Sequence, residues 1–173
     1  MCLALMGLTL PSSHIVPTPQ TEVRTPAKDR EAFLDDIGHS ESRNDYSKVN
    51  KYGYLGRYQF SRATLKLLGI HVTKKEFLEN HQLQEDAMFL LLIANKKNLR
   101  KEIKKYKDVK IKGIVVTESG ILASAHLVGS GKVKRWLKTN GKKTKKDALG
   151  TSIESYMKKF GGYTLNLPGT VKI

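Results

Sequence analysis

The chain has 173 residues, 39% hydrophobic and 27% charged, which a prior of roughly 100 to 200 residues per domain reads as one globular domain. That composition fits neither a rod-like coiled coil nor a wholly disordered chain; no apolar run reaches the roughly 18 residues of a membrane span, and the single cysteine, Cys2, excludes an internal disulfide framework. The net charge of +15 is uneven, with 17 basic against 5 acidic residues over 101–173 but 14 against 11 over 1–100. Such asymmetry predicts an anionic partner for the C-terminal half without choosing among nucleic acid, anionic cell-wall polymer and lipid.

In chain order, Met1 to Leu10 is an apolar stretch followed by Pro11, Ser12 and Ser13. It has the form of a degenerate or truncated secretory signal, or of a tail. Pro, Ser, Thr and Gln dominate the next stretch up to Pro26, so residues 1–24 are expected to be a signal-like or disordered leader and residues 25–173 the domain. Thr25 and Pro26 look like an N-cap and first-turn proline, and Phe33, Leu34 and Ile37 carry a helix from about 26 to 40. Between Glu41 and Gln59, Gly53 and Gly56 punctuate a tyrosine-rich loop or small hairpin. A helix over 61–68 is closed by Gly69, and Thr73 with Glu76 forms a capping box opening another through Leu78. Leu83, Ala87, Leu90, Leu91, Leu99 and Ile103 mark the buried stripe of one long helix over 82–106. Val109 to Val116 reads as an extended connector, Ile121 to Val128 as a buried helix stopped by Gly129 and Gly131, and 132–137 as a short helix before Gly141. Thr151 with Glu154 opens a last helix through Lys159. The fold class expected is mainly α, α+β at most.

The five histidines show no HExxH spacing and no cysteine joins them, so no metal site is expected. Neither a G-x-S-x-G elbow nor a phosphate-binding G-x-x-x-x-G-K-[ST] loop occurs, and no cofactor is expected. What remains is the stretch from Ile37 to Phe60. Glu41 lies at the end of the first helix, where the negative end of the helix dipole and partial burial favour a held proton, as a general acid requires. Local sequence equally describes, and favours, a solvated helix end neutralised by Arg43. Four of the seven tyrosines, Tyr46, Tyr52, Tyr54 and Tyr58, follow within thirteen residues; their faces suit sugar rings or the edge of a core. Glycine permits close backbone approach to a ligand, and Gln59 adds an amide.

Glu41-Ser42, then Gly56-Arg-Tyr-Gln59, then Ala125-His-Leu-Val-Gly129 resemble, in order and at similar spacing, the Glu-Ser, Gly-Leu-Met-Gln and Ala-Tyr-Asn-Ala-Gly motifs of the soluble lytic transglycosylases and goose-type lysozymes. The resemblance covers about residues 30 to 163, with Thr64 placed like the threonine after the glutamine motif and Tyr156 similar to a tyrosine of the last helix. It implies a lysozyme-like multi-helix domain that cleaves peptidoglycan glycan strands between N-acetylmuramic acid and N-acetylglucosamine. Glu41 is then the sole catalytic residue, first acid and then base. The candidate substrate-binding residues are Ser42, supporting Glu41 or an acetamido group, Gly56, Gln59, His126 and Tyr156, with Tyr54 and Tyr58 from the tyrosine cluster. This chain departs from the family in having His126 and Leu127 for Tyr and Asn, and Arg57 and Tyr58 for Leu and Met.

The partner implied is peptidoglycan, met as a monomer in the periplasm, cell envelope or outside the cell, by lytic transglycosylation. The alternatives are a hydrolytic muramidase, a non-catalytic wall-binding relative, and a nucleic-acid-binding domain centred on the run Lys142-Lys143-Thr144-Lys145-Lys146. Nucleic acid is not expected, because no helix-turn-helix, zinc-finger or RNA-binding signature accompanies the lysines.

Overall fold

A computed structural model describes residues 27–143 and 150–168. The leader expected over 1–24 lies outside these residues, as do Thr144, Lys145 and Lys146 of the lysine run. The chain is mainly α-helical: among the described residues there are eight helices and one two-stranded sheet.

Helix α1 (Arg30–Ser42) starts later than the Thr25-Pro26 signal predicted. Ala27 to Asp29 are not helical, and the Asp29 carboxylate accepts a hydrogen bond from the Ala32 amide, so the cap is Asp29. Phe33 and Ile37, one helical turn apart, are fully buried. The helix runs through Gly38 and closes at Arg43 with φ 64°, the Arg43 and Asn44 amides bonding back to His39 and Gly38 carbonyls. The tyrosine-rich loop that follows is tied by isolated bridges between Val49 and Leu55 and between Leu55 and Phe60.

Ser61 caps α2 (Arg62–Leu67), and the predicted Thr73–Glu76 capping box opens α3 (Lys74–Glu79). The single long helix expected over 82–106 is instead two, α4 (His81–Asn98) and α5 (Arg100–Tyr106). A straight helix of that length would extend about 37 Å and carry its end past the core. Leu99 breaks it at φ −103°, ψ 9°, keeping its amide bond to Asn95 while burying its own side chain. Ile103 and Tyr106 then pack into the core, and α5 lies against helix α7 (Ser130–Lys138).

The connector is a hairpin. Strands β1 (Lys110–Ile111) and β2 (Ile114–Val115) pair antiparallel across a two-residue turn in which Lys112 and Gly113 both have positive φ, the conformation that matches the twist of tight hairpins. Helix α6 (Glu118–Val128), capped by Thr117, packs against α4, α7 and α8 (Ile153–Lys159). Gly129, at φ 85° and ψ 148°, separates α6 from α7; Gly131 lies inside α7 and does not break it. The cap of α8 is Ser152, one residue after the expected Thr151. One hydrophobic cluster runs from Phe33 to Leu167, with Trp136 fully buried and its indole N–H donating to Glu154 at 2.9 Å.

Gly56 holds the loop onto α4. Its φ is 71°, and a Cβ there would overlap the Gln84 carboxamide. Gln84 is fully buried; it accepts from the Arg57 amide at 2.8 Å and donates to the Phe77 and Tyr46 carbonyls at 3.0 and 3.1 Å. Gly56→Ala combines left-handed strain with loss of these bonds, so urea unfolding is expected to show a loss of roughly 2–4 kcal/mol. An unchanged midpoint would contradict this packing.

Candidate active site

A cleft of about 660 Å³ lies between the end of α1, the loop around residues 50–61, α2, α4, α6 and the start of α7. Glu41, the penultimate residue of α1, is its one carboxylate among the described lining residues. The side chain is 16% exposed. Tyr156, reaching from α8, donates its hydroxyl hydrogen to Glu41 Oε1 at 2.6 Å, and His126 Nε2 of α6 lies 3.9 Å from the same oxygen. No hydrogen bond from a described residue reaches Glu41 Oε2.

The other members of the cleft carry unspent hydrogen-bonding capacity. Gln59, at φ 52°, donates Nε2 to the Gly56 carbonyl at 2.8 Å, while its buried Oε1 has no partner among the described residues. His126 packs edge-on against Phe60, and its buried Nδ1 likewise has none among them. A buried polar atom left unpaired destabilises by about 1–3 kcal/mol, a loss that a bound polar ligand offsets. Tyr52 and Tyr54 supply aromatic surface, with Leu67, Leu91 and Leu127 adding apolar wall. The arrangement presents one acid, flanked by a tyrosine and a histidine, in a cleft with both polar and apolar walls.

Of the residues expected from sequence, Glu41, Tyr54, Gln59 and His126 line the cleft and Tyr156 joins Glu41. Ser42, Gly56 and Tyr58 do not line it and need correction. Buried Ser42 donates its hydroxyl to the Arg57 carbonyl at 2.8 Å and accepts the Asp45 amide at 2.9 Å, so it ties the loop to α1. Gly56 makes room for Gln84 rather than for a ligand. Tyr58 is fully buried on the loop's other side, donating to Glu85 Oε2 at 2.6 Å; burial first, and Glu85 second, push its phenol well above the usual range.

The same side explains Arg57 and Tyr58 together. Arg57 pairs with Asp35 at 3.0 Å and Glu85 at 2.9 Å, and hydrogen-bonds Asn44 and Tyr46. These polar residues form a network bracing the loop against α1 and α4. Sequence reasoning missed Asn95 and Asn98 of α4, which line the cleft. The available signal was an asparagine set within the otherwise apolar stripe of the long helix.

No protein-family model, curated protein or solved structure matches the chain.

Ser42→Ala removes the two loop-tying hydrogen bonds and no cleft surface. It is expected to lower unfolding free energy by about 1–3 kcal/mol, read by urea unfolding followed by circular dichroism. An unchanged unfolding midpoint would contradict the loop-tying role of Ser42.

Proposed function

We propose that this protein is a lysozyme-like enzyme that cleaves peptidoglycan glycan strands between N-acetylmuramic acid and N-acetylglucosamine by lytic transglycosylation. The observation that carries the reading is that Glu41 is the single carboxylate lining the cleft among the described residues, with Tyr156 and His126 on one of its oxygens. A proton on Oε2 passes to the bridging oxygen as the glycosidic bond breaks. Glu41, now a carboxylate, then takes the proton from the muramic acid's own 6-hydroxyl as that oxygen closes on the anomeric carbon, which restores the acid and leaves an anhydro end. One group serves as acid and base in turn.

Tyr156 fixes Glu41 in one rotamer by donating to Oε1, which leaves the other oxygen for substrate. Gln59 Oε1 and His126 Nδ1 are an acceptor and a second polar site for the sugar ring, and Tyr52 and Tyr54 offer faces on which pyranose rings stack. With no second carboxylate lining the cleft among the described residues, neither an inverting pair roughly 6.5–9.5 Å apart nor a retaining pair about 5–5.5 Å apart is found there, which favours a nucleophile supplied by the substrate. The substrate puts the site of action in the periplasm, cell envelope or extracellular space. The basic residues Lys132 and Arg135 after α6 suit the stem-peptide carboxylates of the polymer.

Incubation with insoluble murein sacculi tests the reading. Wild-type protein is expected to release muropeptides, and Glu41→Gln to lose at least ~100-fold; equal release or equal inactivity of the two would overturn it. Mass spectrometry of the products is expected to find anhydromuramyl ends, and reducing ends in their place would assign hydrolysis instead.

A further inference from the structure

Among the described residues, Asn95 Nδ2 is a third buried, unpartnered polar atom belonging to the cleft, beside those of Gln59 and His126. It stands apart from them in origin. Asn95 comes from α4, which none of the three sequence motifs includes, and the side chain is 6% exposed. Leu91, Ala94, Asn95 and Asn98 all line the cleft; their spacing of three, four and seven residues puts them on one face of the helix. That face is one wall of the cleft. Leu68 of the α2 turn lines it as well.

A buried carboxamide whose Nδ2 lacks a partner among the described residues, in a wall that also carries Leu68, Leu91 and Ala94, selects among ligand groups. A carboxylate at this wall would have to lose its water against Leu68, Leu91 and Ala94, and a single amide N–H does not offset that. A hydroxyl satisfies one hydrogen bond and leaves the apolar surface uncovered. An acetamido group matches all of it, since its carbonyl accepts from the Asn95 amide and its methyl covers Leu91 and Ala94.

We propose that Asn95 is a specificity-determining residue of the cleft, reading the N-acetyl substituent of a bound sugar together with Leu91 and Ala94. This rests on the glycan reading of the cleft and names the group that the α4 wall selects. Discrimination of this kind arises because an analogue lacking the group leaves a buried donor unpaired.

Binding is measured by calorimetry with the β-1,4-linked tetrasaccharide of N-acetylglucosamine and with the glucose tetrasaccharide of the same linkage. Both probes are neutral, so the +15 charge of the protein does not bias the comparison. Wild-type protein is expected to bind the N-acetylated chain at least about tenfold more tightly. Asn95→Leu, which keeps the volume, and Asn95→Asp, which keeps the shape but removes the donor, are each expected to cut that preference about tenfold, the scale of one hydrogen bond in a dry site. Circular dichroism verifies folding, and the near-isosteric Asp variant carries the test if the Leu variant does not fold. Equal binding of both probes by wild-type protein, or an undiminished preference in the folded variants, would overturn the role of Asn95 while murein cleavage stands. Binding of neither probe, together with no muropeptide release from sacculi, would overturn the glycan reading and this assignment with it.

Discussion

Burial of helix α6 is the constraint on which the cleft depends. Eight of its eleven residues are buried, so it has almost no solvent face and must be enclosed by α4, α7 and α8. Small side chains permit this. Gly120 lets the α8 backbone approach at Met157, and the Ser124 hydroxyl hydrogen-bonds the Gly120 and Ile153 carbonyls instead of being left bare. The enclosure sets the position of Tyr156 against α1 and of His126 beside Glu41, and it sets the α4 face carrying Asn95 along the same opening. A bulkier α6 would displace α8, and with it the hydroxyl that holds Glu41.

The loop after α1 is the second constraint, and it has two faces. Arg57 and Tyr58 point to Glu85, Asp35 and Tyr46, where ion pairs and a fully buried phenol brace the loop. Gln59, the next residue, lines the cleft. Positive φ at Gly56 and again at Gln59 turns the chain between these faces. Desolvation weakens a buried charge unless it is paired and hydrogen-bonded, and Arg57, with two carboxylates and two side-chain oxygens around it, is both. The polar residues that make this motif unusual thus act as support for its glutamine.

Local signals were the most legible part of the sequence. The Thr73–Glu76 box, the Ser61 start and the stop at Gly69 are each set by hydrogen bonds within a few residues, and so can be read from a short window. The break at Leu99 was not legible, because Leu99 continues the apolar stripe and no glycine, proline or capping side chain marks the position. The start of α1 was misread for a related reason: Thr25-Pro26 and Asp29 are both competent caps, and local pattern alone does not rank them. In the site, Glu41, Gln59, His126 and Tyr156, far apart in sequence, meet at one cleft. Ser42, Gly56 and Tyr58 are near those residues in sequence but serve the packing: Ser42 bonds the loop backbone, Gly56 makes room for Gln84, and Tyr58 bonds Glu85. Asn95 was passed over because an asparagine interrupting an apolar helical stripe reads equally well as a satisfied core residue; its place comes from the wall it shares.

In the proposed reaction the bridging oxygen of a glycan strand meets the Glu41 carboxyl within this cleft. A crystal structure of the Glu41→Gln variant soaked with a tetrasaccharide alternating N-acetylglucosamine and N-acetylmuramic acid measures that position directly. The expected result is the oxygen between muramic acid and glucosamine within about 3.2 Å of the side chain at position 41, with sugar polar groups on Gln59 and His126. A saccharide bound elsewhere on the chain, or a strand crossing the cleft with its bridging oxygen out of reach of position 41, would contradict it.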